Sequence, residues 1–237
     1  MSSSPSPSSL RSRLRTMAPA RLKALRTLWQ PLAGGLAVLL LLLAFVLVAS
    51  EMLEGDTHAI DMGLLRAAKD FRDAHPVFAH VMRDLSGLGS TTVLTLVTLA
   101  TAGYLRMTAS RTAALLVLAS SGGAAIVVSV LKPAFGRLRP DAALADYAAS
   151  GLSFPSGHAS MSAAVFLTLG ALTANTRSRL GERLYILGIA AFAALLVGLS
   201  RIALGVHWAS DVLGGWALGT AWALAWSMLA FRIMRKD

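Results

Sequence analysis

The 237-residue chain contains no cysteine. That excludes disulfides, cysteine-ligated zinc and thiol nucleophiles, and it suits a chain exposed to an oxidising periplasm. Charge is scarce: 14% of residues are charged, against about 25% in an ordinary soluble domain. Acidic residues are scarcer still, 12 against 22 lysines and arginines, for a formal net charge of +10. In a soluble protein this excess would point to nucleic acid. Here the basic residues flank apolar runs and no nucleic-acid-binding signature is present, so membrane topology and anionic lipid account for the charge. No internal repeat is found, and nucleic acid is not an expected partner. What the chain has in abundance is apolar residues, 55%, with a mean hydropathy of +0.63, the composition of a membrane protein.

Residues 1–31 open on MSSSPSPSSL and continue with Arg11, Arg13, Arg15, Arg21, Lys23 and Arg26. This composition predicts a basic, disordered cytoplasmic arm. A signal peptide with Ala33 to Ser50 as its core is the competing reading. The length of the apolar run and the further runs behind it favour an uncleaved first span.

Six runs are long enough to cross a bilayer, near 32–50, 89–106, 112–131, 157–175, 184–200 and 212–231, each close to the roughly 17–25 residues required. The predicted fold is therefore all-α: an integral-membrane bundle of six transmembrane helices over 32–231, followed by a short cytoplasmic tail, 232–237. Ser120, Ser121, Gly122 and Gly123 in the third run predict close packing against other helices rather than lipid.

With the N-terminus inside, fourteen of the 22 Lys and Arg fall on the cytoplasmic side and eight outside. That distribution predicts both termini in the cytoplasm. The first outer connector, 51–88, carries Ile60, Leu64, Ala68 and Phe71 at helical spacing, and Pro76 can open a second helix with Val77, Val81 and Leu85. Two short amphipathic helices on the periplasmic surface are expected between spans one and two. His58, His75 and His80 lie there among Asp70, Asp73 and Asp84, and are read as a solvated face rather than a metal site.

Three stretches collect at the outer ends of the last four spans: KPAFGRLRP (Lys132 to Pro140), PSGH (Pro155 to His158) and SRIALGVHWASD (Ser200 to Asp211). Span counting alone places all three on one side of the membrane. Lys132, Arg139 and Arg201 offer three cations; a guanidinium fork pairs with phosphate oxygens and an ammonium acts as a point charge. PSGH has the order of a helix start: Pro155 has no N–H to waste, Ser156 supplies a hydroxyl, and Gly157 lets a ligand approach free backbone N–H groups. Arg137 is read as an interface-snorkelling residue.

His207 lies four residues before Asp211. On a helix or turn the two share a face, so the carboxylate can fix one imidazole nitrogen and leave the other as a nucleophile. His158 is then available as the acid for a leaving alkoxide. Two histidines and three cations would perform phosphoryl transfer without a metal, the cations standing where magnesium stands elsewhere.

Lys132–x6–Arg139-Pro140, Pro155-Ser156-Gly157-His158 and Ser200-Arg201–x5–His207–x3–Asp211 together resemble the three-part signature of the type 2 phosphatidic acid phosphatase (PAP2) superfamily, complete and in order. The resemblance implies a six-helix membrane phosphatase that acts on lipid phosphates with no metal and no cofactor. It implies that His207 forms a phosphohistidine, Asp211 orients it and His158 protonates the leaving group. Lys132, Arg139, Ser156, Gly157 and Arg201 would bind the phosphoryl group. The superfamily also includes vanadate-dependent haloperoxidases, which resemble soluble helical proteins; six apolar runs argue against that branch.

The expected protein is a bacterial inner-membrane lipid phosphate phosphatase with a periplasmic active site. Phosphatidic acid, phosphatidylglycerol phosphate and undecaprenyl diphosphate are the substrates considered. The alternative is a non-catalytic lipid-phosphate binder or transporter, for which an oriented nucleophile has no use. Substrate selectivity is expected in residues 51–88 and 141–154, with Asp141 and Asp146 solvating their loop. No feature of the sequence sets an oligomeric state.

Overall fold

A computed structural model describes residues 7–108 and 110–234, with side chains for Trp29 and from Pro31 onward. Residues 1–6, the tail residues Arg235, Lys236 and Asp237, and the side chains of the basic arm lie outside the described residues. Among the described residues every regular element is helical. The helices are α1 (Pro7–Glu54), α2 (His58–Ala74), α3 (Pro76–Gly87), α4 (Thr91–Thr108), α5 (Arg111–Phe135), α6 (Gly157–Asn175), α7 (Leu180–Ala203) and α8 (Ala209–Met234), with one 3₁₀ turn at Ala142–Leu144.

Six segments are long and apolar enough to cross a membrane: Pro31–Glu54, Pro76–Thr108, Arg111–Phe135, Gly157–Asn175, Leu180–Ala203 and Ala209–Met234. All six apolar runs thus become helices; five match their run or extend a few residues beyond it, and the second is shifted, α4 starting at Thr91 after a turn at Leu88–Ser90. At the other end of the first span, α1 continues back to Pro7, across a stretch whose composition predicts disorder. Leu, Ala, Arg and Lys, which fill much of positions 10–28, are good helix formers.

The centre of the bundle is α6, which packs on α7 and α8, with α1 against α8 and α4 against α5. Small residues set the spacing. A Cβ on Gly219 of α8 would lie 2.3 Å from the Ser160 carbonyl oxygen of α6, and one on Gly215 would lie 3.0 Å from the Ser156 carbonyl oxygen. Backbones approach this closely in lipid because helix association there depends on packing and hydrogen bonding rather than on escape from water.

Tryptophans fasten the same bundle. The indole N–H groups of Trp216, Trp222 and Trp226 donate to the carbonyls of Ala194, Ser120 and Leu116, at 3.0, 3.0 and 2.9 Å, so no indole polarity is stranded. The third-span cluster divides by face. Ser120 is buried and Gly123 admits the Trp222 ring, whereas Gly122 faces open space. Ser121 accepts from the Thr98 hydroxyl of α4 at 3.2 Å, so the expectation of helix packing holds at Ser120, Ser121 and Gly123 and fails at Gly122.

The two expected short helices are present as α2 and α3. On α2 the periodic apolar residues Ile60, Leu64 and Phe71 are exposed, while Asp61, Leu65 and Arg72 are buried. The apolar stripe therefore looks away from the bundle, as suits a helix lying at a membrane interface, and the face carrying Asp61, Leu65 and Arg72 docks on the bundle. Arg72 secures it by donating to the carbonyls of Ala203 and of Leu144, the latter at 2.6 Å. His58, His75 and His80 are spread along α2, its end and α3. Among the described residues no group of three His, Cys, Asp or Glu side chains converges as metal ligands would.

Candidate active site

The C-terminal ends of α5 and α7 and the N-terminal ends of α6 and α8 meet at one end of the bundle. α5 stops at Gly136, which takes the left-handed conformation (φ 62°) while its N–H returns to the Lys132 carbonyl at 3.0 Å. Glycine adopts that geometry without strain. The chain then leaves the helix with Arg137 and Arg139 side by side in the next stretch.

The return strand of this loop is tied down by Ser153 N–H to the Arg137 carbonyl at 2.8 Å. It is anchored below by Phe154, fully buried against Phe45 and Phe135 with ring centroids 5.6 and 4.8 Å away. α6 begins at Gly157 with Ser156 as its cap residue. Pro155 therefore sits before the cap and not in the first turn as the PSGH order suggests. The Ser156 N–H donates to the Asp211 carbonyl at 3.0 Å, which locks the start of α6 to the start of α8. Among the described residues the buried Ser156 hydroxyl has no hydrogen-bond partner.

His207 is 1% exposed, in the turn between α7 and α8. Gly205 shapes that turn at φ 70°, and a Cβ there would lie 2.4 Å from the Leu144 carbonyl oxygen. The Asp211 carboxylate meets His207 Nδ1 at 3.2 Å. Its oxygens also accept from the Trp208 N–H at 2.9 Å, from the Ser153 hydroxyl, and from Arg137 Nη1 at 2.7 Å. With Nδ1 engaged by the carboxylate, Nε2 is the free nitrogen, and it faces Arg139 Nη1 at 3.1 Å. Burial pushes the imidazole down to about 4, against the opposing pull of Asp211, with Arg139 and Arg201 lowering it further. At neutral pH His207 is an uncharged base.

The cations divide into two kinds. Lys132 donates to the Leu152 carbonyl at 2.7 Å. Arg139 donates to the carbonyls of Ser150, Gly151 and Val206 at 3.0, 3.1 and 2.8 Å. Arg201, 4% exposed, donates to the Ser86 and Tyr147 hydroxyls, both at 2.6 Å, and its buried Nε has no partner among the described residues.

Among the described residues none of these three forms an ion pair with a carboxylate. Burial, then the charge of Arg201, lowers the guanidinium of Arg139 from its ordinary value. Three cations held by neutral acceptors keep their charge available to an anion. Arg83 and Arg137 are the other kind. Arg83 forks onto Asp146 at 2.5 and 2.8 Å, and Arg137 bridges Asp61 and Asp211 at 2.8 and 2.7 Å. Arg137 is thus a half-buried bridge rather than a snorkelling residue, and Asp146 is a fixed ion-pair partner rather than a solvating one.

All eight residues singled out by sequence meet here. His158 stands on the first turn of α6, within electrostatic reach of Lys132, Arg139, Arg201 and His207. A Cβ on Gly157 would point toward Lys132 Cε, 3.8 Å away. Beneath Lys132, Gly157 and His158 a cavity of about 480 Å³ descends between α4, α5 and α6. Leu94, Val128, Met161 and Val165 line it, with Leu99 and Leu118 at its exposed flank. Sequence reasoning missed Asp61, Ser86, Tyr147 and Ser153, whose partners lie far along the chain.

A pocket of this kind on a six-span bundle is the one expected of an integral-membrane phosphatase. Comparison with known proteins agrees and gives the family. Residues 113–235, which include every one of the eight, match the PAP2 superfamily. Phosphatidylglycerophosphatase B of Bacillus subtilis (strain 168) is 34% identical over 185 residues, 76% of this chain and 87% of that protein. An undecaprenyl-diphosphatase of Sulfolobus acidocaldarius is 43% identical over 68 residues, 29% of each chain. The crystal structure of a transmembrane PAP2 type phosphatidylglycerolphosphate phosphatase from Bacillus subtilis superposes with a TM-score of 0.72 at 30% identity, covering 84% of this chain and 96% of that one. The chain belongs to the PAP2 superfamily.

Proposed function

We propose that this protein removes the terminal phosphate of a lipid phosphate or diphosphate by a two-step, metal-independent reaction. The observation that carries the reading is the contrast within one pocket: three buried or half-buried cations with no carboxylate, around a histidine that has one.

In the first step His207 Nε2 attacks phosphorus in line. The bond from phosphorus to the lipid oxygen breaks, and His158 gives its proton to the departing oxygen. Asp211 stabilises the charge that His207 acquires. In the second step water attacks the phosphohistidine, His158 takes a proton from that water, inorganic phosphate leaves and His207 is regenerated. Lys132, Arg139, Arg201, the Ser156 hydroxyl and the N–H groups at Gly157 hold the phosphoryl oxygens as charge develops. The cavity below the site takes the start of the hydrocarbon tail. Phosphatidylglycerol phosphate leads the substrates, since the relative named for it matches three quarters of this chain. Phosphatidic acid and undecaprenyl diphosphate follow. The distribution of basic residues supports a periplasmic site in a bacterial inner membrane.

Phosphate release by detergent-purified protein from each of the three lipids, with EDTA present, tests the reading. Release is expected to survive EDTA and to vanish in His207→Ala. Release by His207→Ala at the wild-type rate would overturn the mechanism. No release from any of the three lipids by folded wild-type protein would exclude them as substrates and leave an untested lipid phosphate or the binder or transporter reading.

A further inference from the structure

Asp61 is 1% exposed on α2, an element that contributes nothing to the three sequence stretches of the site. Each of its oxygens is engaged. The Ser210 N–H reaches Oδ1 at 2.9 Å, and the Ser210 hydroxyl and Arg137 Nη2 reach Oδ2 at 2.5 and 2.8 Å. Arg137 Nη1 in turn serves both the Ser210 hydroxyl and Asp211 Oδ1 at 2.7 Å, with its guanidinium 5.3 Å from the Trp208 ring centre. The guanidinium is therefore a two-sided clamp between a remote carboxylate and the one that holds His207.

We propose that Asp61 is a positioning residue of the active site, acting through Arg137 to fix both the geometry and the net charge of Asp211. The inference rests on the reading of His207 as the nucleophile. Two carboxylates around one guanidinium leave a single negative charge for His207. Without Asp61, Arg137 would belong to Asp211 alone. The pair would be neutral, and its support for a positively charged imidazole would fall.

Other charges face the same place from every neighbouring element: Lys132 from α5, Arg139 from the loop after it, His158 from α6 and Arg201 from α7. All of these are cationic or neutral, so none can replace the lost negative charge. On the α2 side, His58 packs on Trp208 at 5.7 Å and Arg72 is turned toward backbone carbonyls.

The test compares Asp61→Asn, Ser210→Ala, Arg137→Lys and His207→Ala by kcat, KM and the pH profile of kcat/KM on one lipid. Asp61→Asn keeps the shape and removes the charge. Its kcat is expected to fall about 10- to 100-fold with KM within about 3-fold, in line with the loss of one orienting contact. Its acid limb should move to lower pH, because imidazolium is less favoured. Ser210→Ala removes a neutral contact to Asp61 and should leave the acid limb in place. Arg137→Lys keeps the charge but loses the fork, so kcat should fall with the limb unmoved. It also tests the link should Asp61→Asn not accumulate as folded protein.

Wild-type kcat in Asp61→Asn or in Arg137→Lys would overturn the proposal, as would a fall in Asp61→Asn with an unmoved acid limb. Activity in His207→Ala would instead strike the mechanism on which the proposal rests.

Discussion

A buried histidine with one nitrogen on a carboxylate and the other toward an arginine is poised to act only while uncharged. Its depressed pKa, about 4 in the free protein, makes kcat/KM insensitive to His207 from about pH 5 upward and decreasing below, as a pH–rate profile will show. The same shift bears on stability. Between about 4 and the ordinary 6.5, the unfolded chain binds a proton that the folded chain refuses. Folding is therefore favoured by rising pH across that window. His207 contributes about 3 kcal/mol that is fully present above 6.5 and lost as pH falls to 4, which thermal denaturation in detergent at pH 4.5 and 7 would register. Asp211→Asn should lower kcat by roughly 10³-fold or more, as expected when an orienting carboxylate becomes an amide; an unchanged rate would remove its orienting role. The motif residues could be read from the chain because each carries chemistry that lipid gives no reason to retain. Arg137 and Asp61 could not, because their meaning lies in a contact across 76 positions, and an isolated Arg near a span end looks the same whether it snorkels or bridges.

Elements, rather than residues, set the distances in this pocket. α8 rests on α6 through Gly215 and Gly219, and the same two helices carry Asp211 and His158 at their first turns. Gly219→Ala would press a methyl into the Ser160 carbonyl and is expected to destabilise the fold by about 1–3 kcal/mol. A lowered melting temperature together with lowered kcat is the expected pattern, since separation of α6 from α8 also separates the two histidines. Gly89 plays a related part beneath His158. A Cβ there would lie 2.3 Å from Val197 and 3.4 Å from the His158 ring, so Gly89→Val is expected to reduce turnover by displacing the acid. Helix existence was legible in the six apolar runs, which admit few alternatives in a bilayer, but not in the N-terminal part of α1, where composition predicts disorder. The facing of α2 was not. Its apolar period marks a stripe, but a stripe at a membrane interface turns toward lipid, and the polar side becomes the buried one. The cavity between α4, α5 and α6 is lined by no residue of 51–88 or 141–154, where selectivity is expected.

The described residues form a bundle with the candidate site at one end and a cleft running from that end toward its middle. Gly122 opens onto the cleft with no atom within 4 Å of a Cβ position. Gly122→Phe is therefore expected to raise KM for a long-chain lipid phosphate several-fold while sparing kcat on a short-chain, water-soluble one. Equal losses on both would mean that the cleft does not hold the tail. The absence of cysteine makes sidedness simple to measure. Ala142→Cys, at an exposed position on the loop above the site, should react with a membrane-impermeant maleimide in cells whose outer membrane has been made permeable. Protection until the inner membrane is opened would reverse the proposed orientation. The exposed flank of the cleft at Leu99 and Leu118 has a kinetic consequence. A substrate that arrives sideways from the bilayer is met in two dimensions, so the enzyme would respond to the mole fraction of substrate among its neighbouring lipids. Diluting that substrate with inert phospholipid at constant bulk concentration would slow it, and the dephosphorylated lipid, leaving through the same opening, would compete with the next substrate for it.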